Sequence, residues 1–169
     1  MEGFEFFEET VKIKYMYKIL VLVFAIILVV FFVTKLNFGT KVSHAYLDDK
    51  FKPGQVWSYK TRQGEENSSM EILRVEKYDE FGIVIHVAVK GVNIRSADGK
   101  VNNQIPHLPF TKEAIERSVI AMVQENQPLP QYEMGYNLWK DAINNRKGGV
   151  WTITVSEAIT LAEDALNKK

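Results

Sequence analysis

From Ile19 to Val33 every side chain is Ile, Leu, Val, Phe or Ala, the longest unbroken apolar run in the chain. With Tyr15, Met16 and Tyr17 ahead of it, Tyr15 to Val33 makes 19 residues. At about 1.5 Å per residue a helix of that length spans roughly 28 Å, close to the hydrocarbon thickness of a bilayer. Lys18 interrupts the run near its end, where a lysine stem reaches the interface beside flanking tyrosines. The fourteen Ile, Leu, Val and Phe residues between 19 and 33 are worth about −4 to −8 kcal/mol on an insertion scale, against roughly 2.5 to 3.5 kcal/mol for a lysine at the helix centre. A strand runs about five or six residues, and a small domain offers too little cover for a helix apolar on every side. The pattern therefore predicts a transmembrane helix over residues 15–35.

A cleaved export signal is the rival reading, because Lys12, Lys14 and Lys18 form a basic leading region. The small-x-small triplet Ser43-His44-Ala45 lies twelve residues beyond Val33, too far for cleavage close to the membrane surface. The expectation is a retained signal anchor, with cleavage after Ala45 as the alternative. Lys12, Lys14 and Lys18 precede the unbroken apolar run and Lys35 and Lys41 follow it closely, with Lys50 and Lys52 narrowing the difference. The bias puts the N-terminus in the cytoplasm and the C-terminal domain outside, on a bacterial inner membrane facing the periplasm. Residues 1–14 then form a short cytoplasmic tail, and Met16-Tyr17-Lys18 offers an alternative start for translation.

Past the span the pattern changes to mixed and periodic. Residues 36–52 are polar without a clear period and read as a tether; residues 53–169 read as one domain. Pro53-Gly54 opens a first strand, Val56–Thr61, and Met70–Tyr78 is a second with one ambiguity in its alternation. In Ile83–Ile94 the residues Ile83, Ile85, Val87 and Val89 point one way, the clearest strand signal present. Thr111 can cap a helix running to about Val123, with Glu113 in its first turn and Ile115, Val119 and Met122 inward. A second helix follows Pro128-Leu-Pro130, with Tyr132, Tyr136, Trp139 and Ile143 on one face, and Lys147-Gly-Gly149 stops it. Val150–Val155 reads as a fourth strand, and Thr154 to Glu157 as a capping box for a last helix. The predicted class is α+β: a mainly antiparallel sheet of about four strands, with about three helices packed on one face.

Composition narrows the chemistry. From Tyr46 onward there are 16 basic and 17 acidic residues, which argues against a nucleic-acid footprint. The chain has no cysteine, which excludes disulfides, thiolate catalysis and cysteine-bound zinc. Of three histidines, His44 falls in the tether, His86 on a strand face at the sheet surface, and His107 in the prolyl loop IPHLPF. With no HExxH or short-spaced carboxylate pair, no metal and no cofactor is expected. Ser156 sits between a strand and a helix, but Val155 and Glu157 beside it give a helix cap rather than a nucleophile elbow.

The strongest local signal is aromatic. Tyr132, Tyr136, Trp139 and Trp151, with His107 from the prolyl loop, could line a peptide or glycan groove, the hydroxyls of Tyr132 and Tyr136 being best placed to stay wet. The competing reading is that these rings simply pack on the sheet. The expected function is a non-catalytic binding domain held at the bilayer by residues 15–35 and engaging a protein or envelope component. A membrane-tethered hydrolase and an immunity-type protein that blocks a toxin at the membrane are the alternatives.

Overall fold

The computed structural model describes Val42–Ala45 by their backbone and residues 47–167 in full. The expected tail 1–14 and span 15–35 lie outside the described residues. Among the described residues no helix is long and apolar enough to cross a membrane.

Among the described residues six strands and three helices follow one another as β1 (Val42–Ala45), β2 (Val56–Tyr59), β3 (Ser69–Tyr78), β4 (Gly82–Arg95), β5 (Val101–Thr111), α1 (Lys112–Ser118), β6 (Val119–Gln124), α2 (Glu133–Asn144) and α3 (Val155–Asn167). All strand pairs are antiparallel, in the order β5-β4-β3-β2-β6. β1 pairs with Glu76–Tyr78 and β2 with Ser69–Glu71, so the two share one edge of β3, end to end. The domain is thus already under way within the expected tether: Val42–Ala45 joins the sheet, and Phe51 is fully buried.

The fold is α+β with an antiparallel sheet, and two finer expectations are corrected. The sheet has six strands rather than about four. The helices also do not share one face. Alternation along β4 sends Ile85, Val87 and Val89 into the main core, where Ala114 and Ile115 of α1 and Val155, Ala158 and Ile159 of α3 meet them. The intervening Ala88 faces the other way, where Tyr132 and Tyr136 at α2 cover it together with Leu73.

The helix expected to reach Val123 stops at Ser118. Beyond it VIAMVQ is β-branched and uncharged, and pairing with β2 satisfies its backbone better than another helical turn does. Ser118 fixes the corner: its hydroxyl donates to the Ala114 carbonyl at 2.7 Å and accepts the Val155 N–H at 3.0 Å, joining α1 to the start of α3. Val150–Val155 is not a strand. Trp151 makes a single bridge to Phe110, and Thr154 then caps α3, its N–H and hydroxyl both donating to Glu157. The chain from β6 to α2 crosses the start of β2 at Gly54, whose φ of 82° leaves no room for a side chain: a Cβ there would lie 2.7 Å from the Gln127 carbonyl oxygen.

Candidate functional site

On the α2 face two irregularities in the sheet bring together residues that strict alternation would separate. In β3, Ile72 pairs with Val87 and Arg74 with His86, so Leu73 is an extra residue. The bulge flips the rest of the strand, turning Arg74, Glu76 and Tyr78 away from the main core and toward α2. In β5, Leu108 pairs with Val87 and Ile105 with Val89, so Pro106 and His107 together oppose Ala88. That second bulge leaves His107 beside His86.

Glu76 is the centre of the cluster, with 3 % of its surface exposed. Its carboxylate accepts from the Tyr78 hydroxyl at 2.8 Å, from the Tyr136 hydroxyl at 2.9 and 3.0 Å, and from the Arg74 guanidinium at 3.0 Å. His86 Nε2 lies 3.3 Å from the same carboxylate, off the line of a good hydrogen bond. His86 Nδ1 is 2.9 Å from His107 Nε2, the two rings nearly parallel at 19°. From α2, Trp139 and Tyr136 set their rings against His86 at 72° and 76°, and Lys140 Nζ donates to the Tyr136 hydroxyl at 3.0 Å. Arg74 lies over the Tyr136 ring, 4.6 Å from its centroid. Gly135 permits the close approach, since a Cβ there would stand 2.9 Å from the His107 Cβ.

These contacts set the charges. Burial would push the Glu76 carboxyl up, but the His86 imidazole beside it and donation from the Tyr78 and Tyr136 hydroxyls outweigh this and hold the group down at about 2. Burial drives His86 below its ordinary value; Glu76 opposes this, while Arg74 and Lys140 reinforce it. His107 is lowered to about 4, first by burial and then by the neighbouring His86, with Glu76 again opposing. Burial and the Glu76 carboxylate together raise the Tyr78 hydroxyl. At neutral pH Glu76 is therefore anionic and both imidazoles are neutral.

The neutral pair has one consistent proton arrangement. The Glu76 carboxylate requires the proton of His86 on Nε2, which leaves Nδ1 as an acceptor for the Nε2–H of His107. The lone pair left over is on His107 Nδ1, on the ring that is half-buried rather than closed off. A proton taken up there can be passed through His86 toward Glu76, a relay with a single outer end. Among the described residues no group of three or more His, Cys, Asp or Glu side chains is placed to hold a metal ion.

Of the residues singled out from the sequence, His107, Tyr132, Tyr136 and Trp139 meet in this one place. Trp151 does not join them; it packs against the main core, with its backbone N–H on the Pro109 carbonyl. Tyr132 and Tyr136, expected to keep wet hydroxyls, are 8 % and 6 % exposed, so the rings do not line an open groove. His107 lies in β5 rather than a loop, and His86 is fully buried rather than at the sheet surface. Glu76 was not singled out; the broken alternation in Met70–Tyr78 was the signal that could have found it.

A second feature is exposed. Ile120, Met122, Val123, Leu129, Met134 and Leu138 are open to solvent, so six of the ten large exposed apolar side chains among the described residues fall between β6 and the middle of α2. Met134 and Leu138, 79 % and 66 % exposed, stand one helical turn apart on the outer side of α2, opposite its buried tyrosine. No family model, no curated protein and no solved structure matches the chain.

Proposed function

We propose that this chain is a single-pass membrane protein, anchored by residues 15–35 with its N-terminus in the cytoplasm, that presents a non-catalytic domain outside and binds a protein partner through the Ile120–Leu138 segment. The observation that carries the binding reading is the concentration of exposed aliphatic side chains in that one stretch. Its chemistry selects the class of partner. The β6 sequence VIAMVQ carries no charge, and the tyrosines that would stack on a sugar are buried, so an aliphatic protein surface fits where a glycan does not. A toxin blocked at the membrane would be one such partner. The hydrolase alternative draws on the Glu76–His86–His107 chain, but those groups face α2, which covers them.

The test is site-specific photocrosslinking in living cells, with the crosslinker at Met122 or Leu138 and, as a control, at exposed Leu161 on α3. A defined adduct is expected from the first two positions, abolished by Ile120→Lys with Met134→Lys. Exposed changes of this kind cost no more than about 0.5 kcal/mol of stability, so loss of the adduct reports binding. Equal adducts from Leu161 would sink the surface assignment. Alkaline phosphatase fused after Lys169 should be active in whole cells, and an inactive fusion would overturn the placement outside.

A further inference from the structure

We propose that the Glu76–His86–His107 chain is a proton-operated latch on α2: protonation of the imidazole pair releases the helix from the sheet and, with it, the partner held at Met134 and Leu138. The second clause rests on the binding surface proposed above; the first does not.

The latch is built from groups on four elements. β3 contributes Arg74, Glu76 and Tyr78, β4 contributes His86, β5 contributes His107, and α2 contributes Tyr136 and Lys140, with Tyr132 at its N-cap. Among the described residues the anion at its centre is Glu76, already engaged by a guanidinium and two hydroxyls, while Glu133 at the margin accepts the Tyr132 N–H. Its fixed cations are Arg74 and Lys140. A first proton, entering at His107 Nδ1, turns the pair into a cation beside two others in a site with little water. A second proton removes the last lone pair between the rings, so the 2.9 Å contact between His86 Nδ1 and His107 Nε2 becomes N–H against N–H. Both steps are relieved when water reaches the rings.

Of the elements around the rings, α2 is the one that can lift. β3, β4 and β5 are tied to each other by the ladder, whereas α2 is held by side chains: the Tyr136 hydroxyl on Glu76, the edges of Tyr136 and Trp139 on His86, and Gly135 against His107. The apolar cluster beneath α2 is small, with Leu73, Ala88, Tyr132 and Tyr136 buried and Trp139 at its margin, while α1 and α3 share the main core. The part of the fold bearing the charge penalty is therefore also the part that opens most cheaply.

Hydrogen exchange of the full chain, corrected for intrinsic rate and followed from pH 7 to pH 4.5, tests this directly. Amides of α2 should lose at least ~10-fold in protection while those of α1 and α3 hold. His107→Gln, which keeps a donor but cannot charge, should weaken that pH dependence to the share His86 alone supplies. If α2 loses protection only in step with α1 and α3, or if His107→Gln leaves the profile unchanged, the latch is wrong. Should the variant fail to fold, the ring C–H resonances of wild-type His86 and His107 serve instead: both should stay neutral where an exposed histidine is half charged, and should titrate together with α2 opening. Ordinary titration near 6.5 with α2 undisturbed overturns the proposal. The crosslink from Leu138 separates the two readings. Its loss on acidification together with α2 opening supports both, whereas α2 opening in a protein that gives no Leu138 adduct at any pH supports the latch and removes the surface.

Discussion

Glu76 can be changed in two ways that separate its charge from its role as an acceptor. Glu76→Ala leaves Arg74, Tyr78, Tyr136 and His86 without their common partner. Removing one side of a buried charged network costs about 3 to 5 kcal/mol. Glu76→Gln keeps one carbonyl oxygen for the hydroxyls and should cost roughly half as much; urea unfolding of the two variants measures both. Gly135→Ala should also destabilise, although alanine ordinarily gains about 1 kcal/mol over glycine within a helix, because the new Cβ would stand 2.9 Å from the His107 Cβ, on a strand that cannot yield cheaply. A thermal melt showing stabilisation would mean that α2 sits farther from β5. Part of this site was legible in the sequence, since the helical spacing of Tyr132, Tyr136 and Trp139 announced one face and His107 was singled out beside it. Glu76 was not, because the side of the sheet it faces depends on the single-residue bulge at Leu73, which shifts register without altering composition; the alternation of β4 gave the side of His86 but not that α2 buries it.

Helices and strands with one buried face were readable where their period was clean, and lost where the sequence offered two. β4 stands close to where its alternation put it, and α2 and α3 begin within a residue or two of their signals. No strand signal marks β5, and its IPHLPF segment reads as a loop, because Pro106 and Pro109 and four exposed residues at its start hide the alternation; it lies at the end of the strand order, where proline is tolerated. β6 was read as helix because Ile115, Val119 and Met122 also fit a helical stripe, and long-range pairing with β2 decided the matter. The junction that ends α1 is testable. Ser118→Ala removes the acceptor of the buried Val155 N–H, and an unpartnered buried donor costs about 1 to 3 kcal/mol. Thr154→Ala, losing the exposed hydroxyl contact to Glu157 at the start of the same helix, should cost about 1 kcal/mol. Equal unfolding midpoints for the two variants would show that the α1–α3 corner does not depend on the buried serine.

For the domain as a whole, the cluster under α2 sets the response to acid. His107 has an ordinary value of 6.5 and is held at about 4 in the folded chain, so between those values the unfolded chain binds more protons than the native one. Stability therefore rises with pH through that window: it is fully present above about 6.5 and is lost progressively as pH falls toward 4. His86, also lowered, acts in the same direction. Glu76 continues the trend, since its carboxyl moves from 4.5 to about 2 on folding and favours the native state until acid protonates it. The two windows adjoin, so the urea midpoint should fall steadily from pH 6.5 to pH 2, without the plateau near pH 5 that carboxylates acting alone would leave. His107→Gln makes the contributions separable: the slope between 6.5 and 4 should flatten while the fall below 4.5 remains. A variant that kept the full slope above pH 4.5 would assign the acid response to groups elsewhere in the sheet. One that lost the slope in both windows would show that Glu76 owes its low value to the imidazole chain rather than to Tyr78, Tyr136 and Arg74.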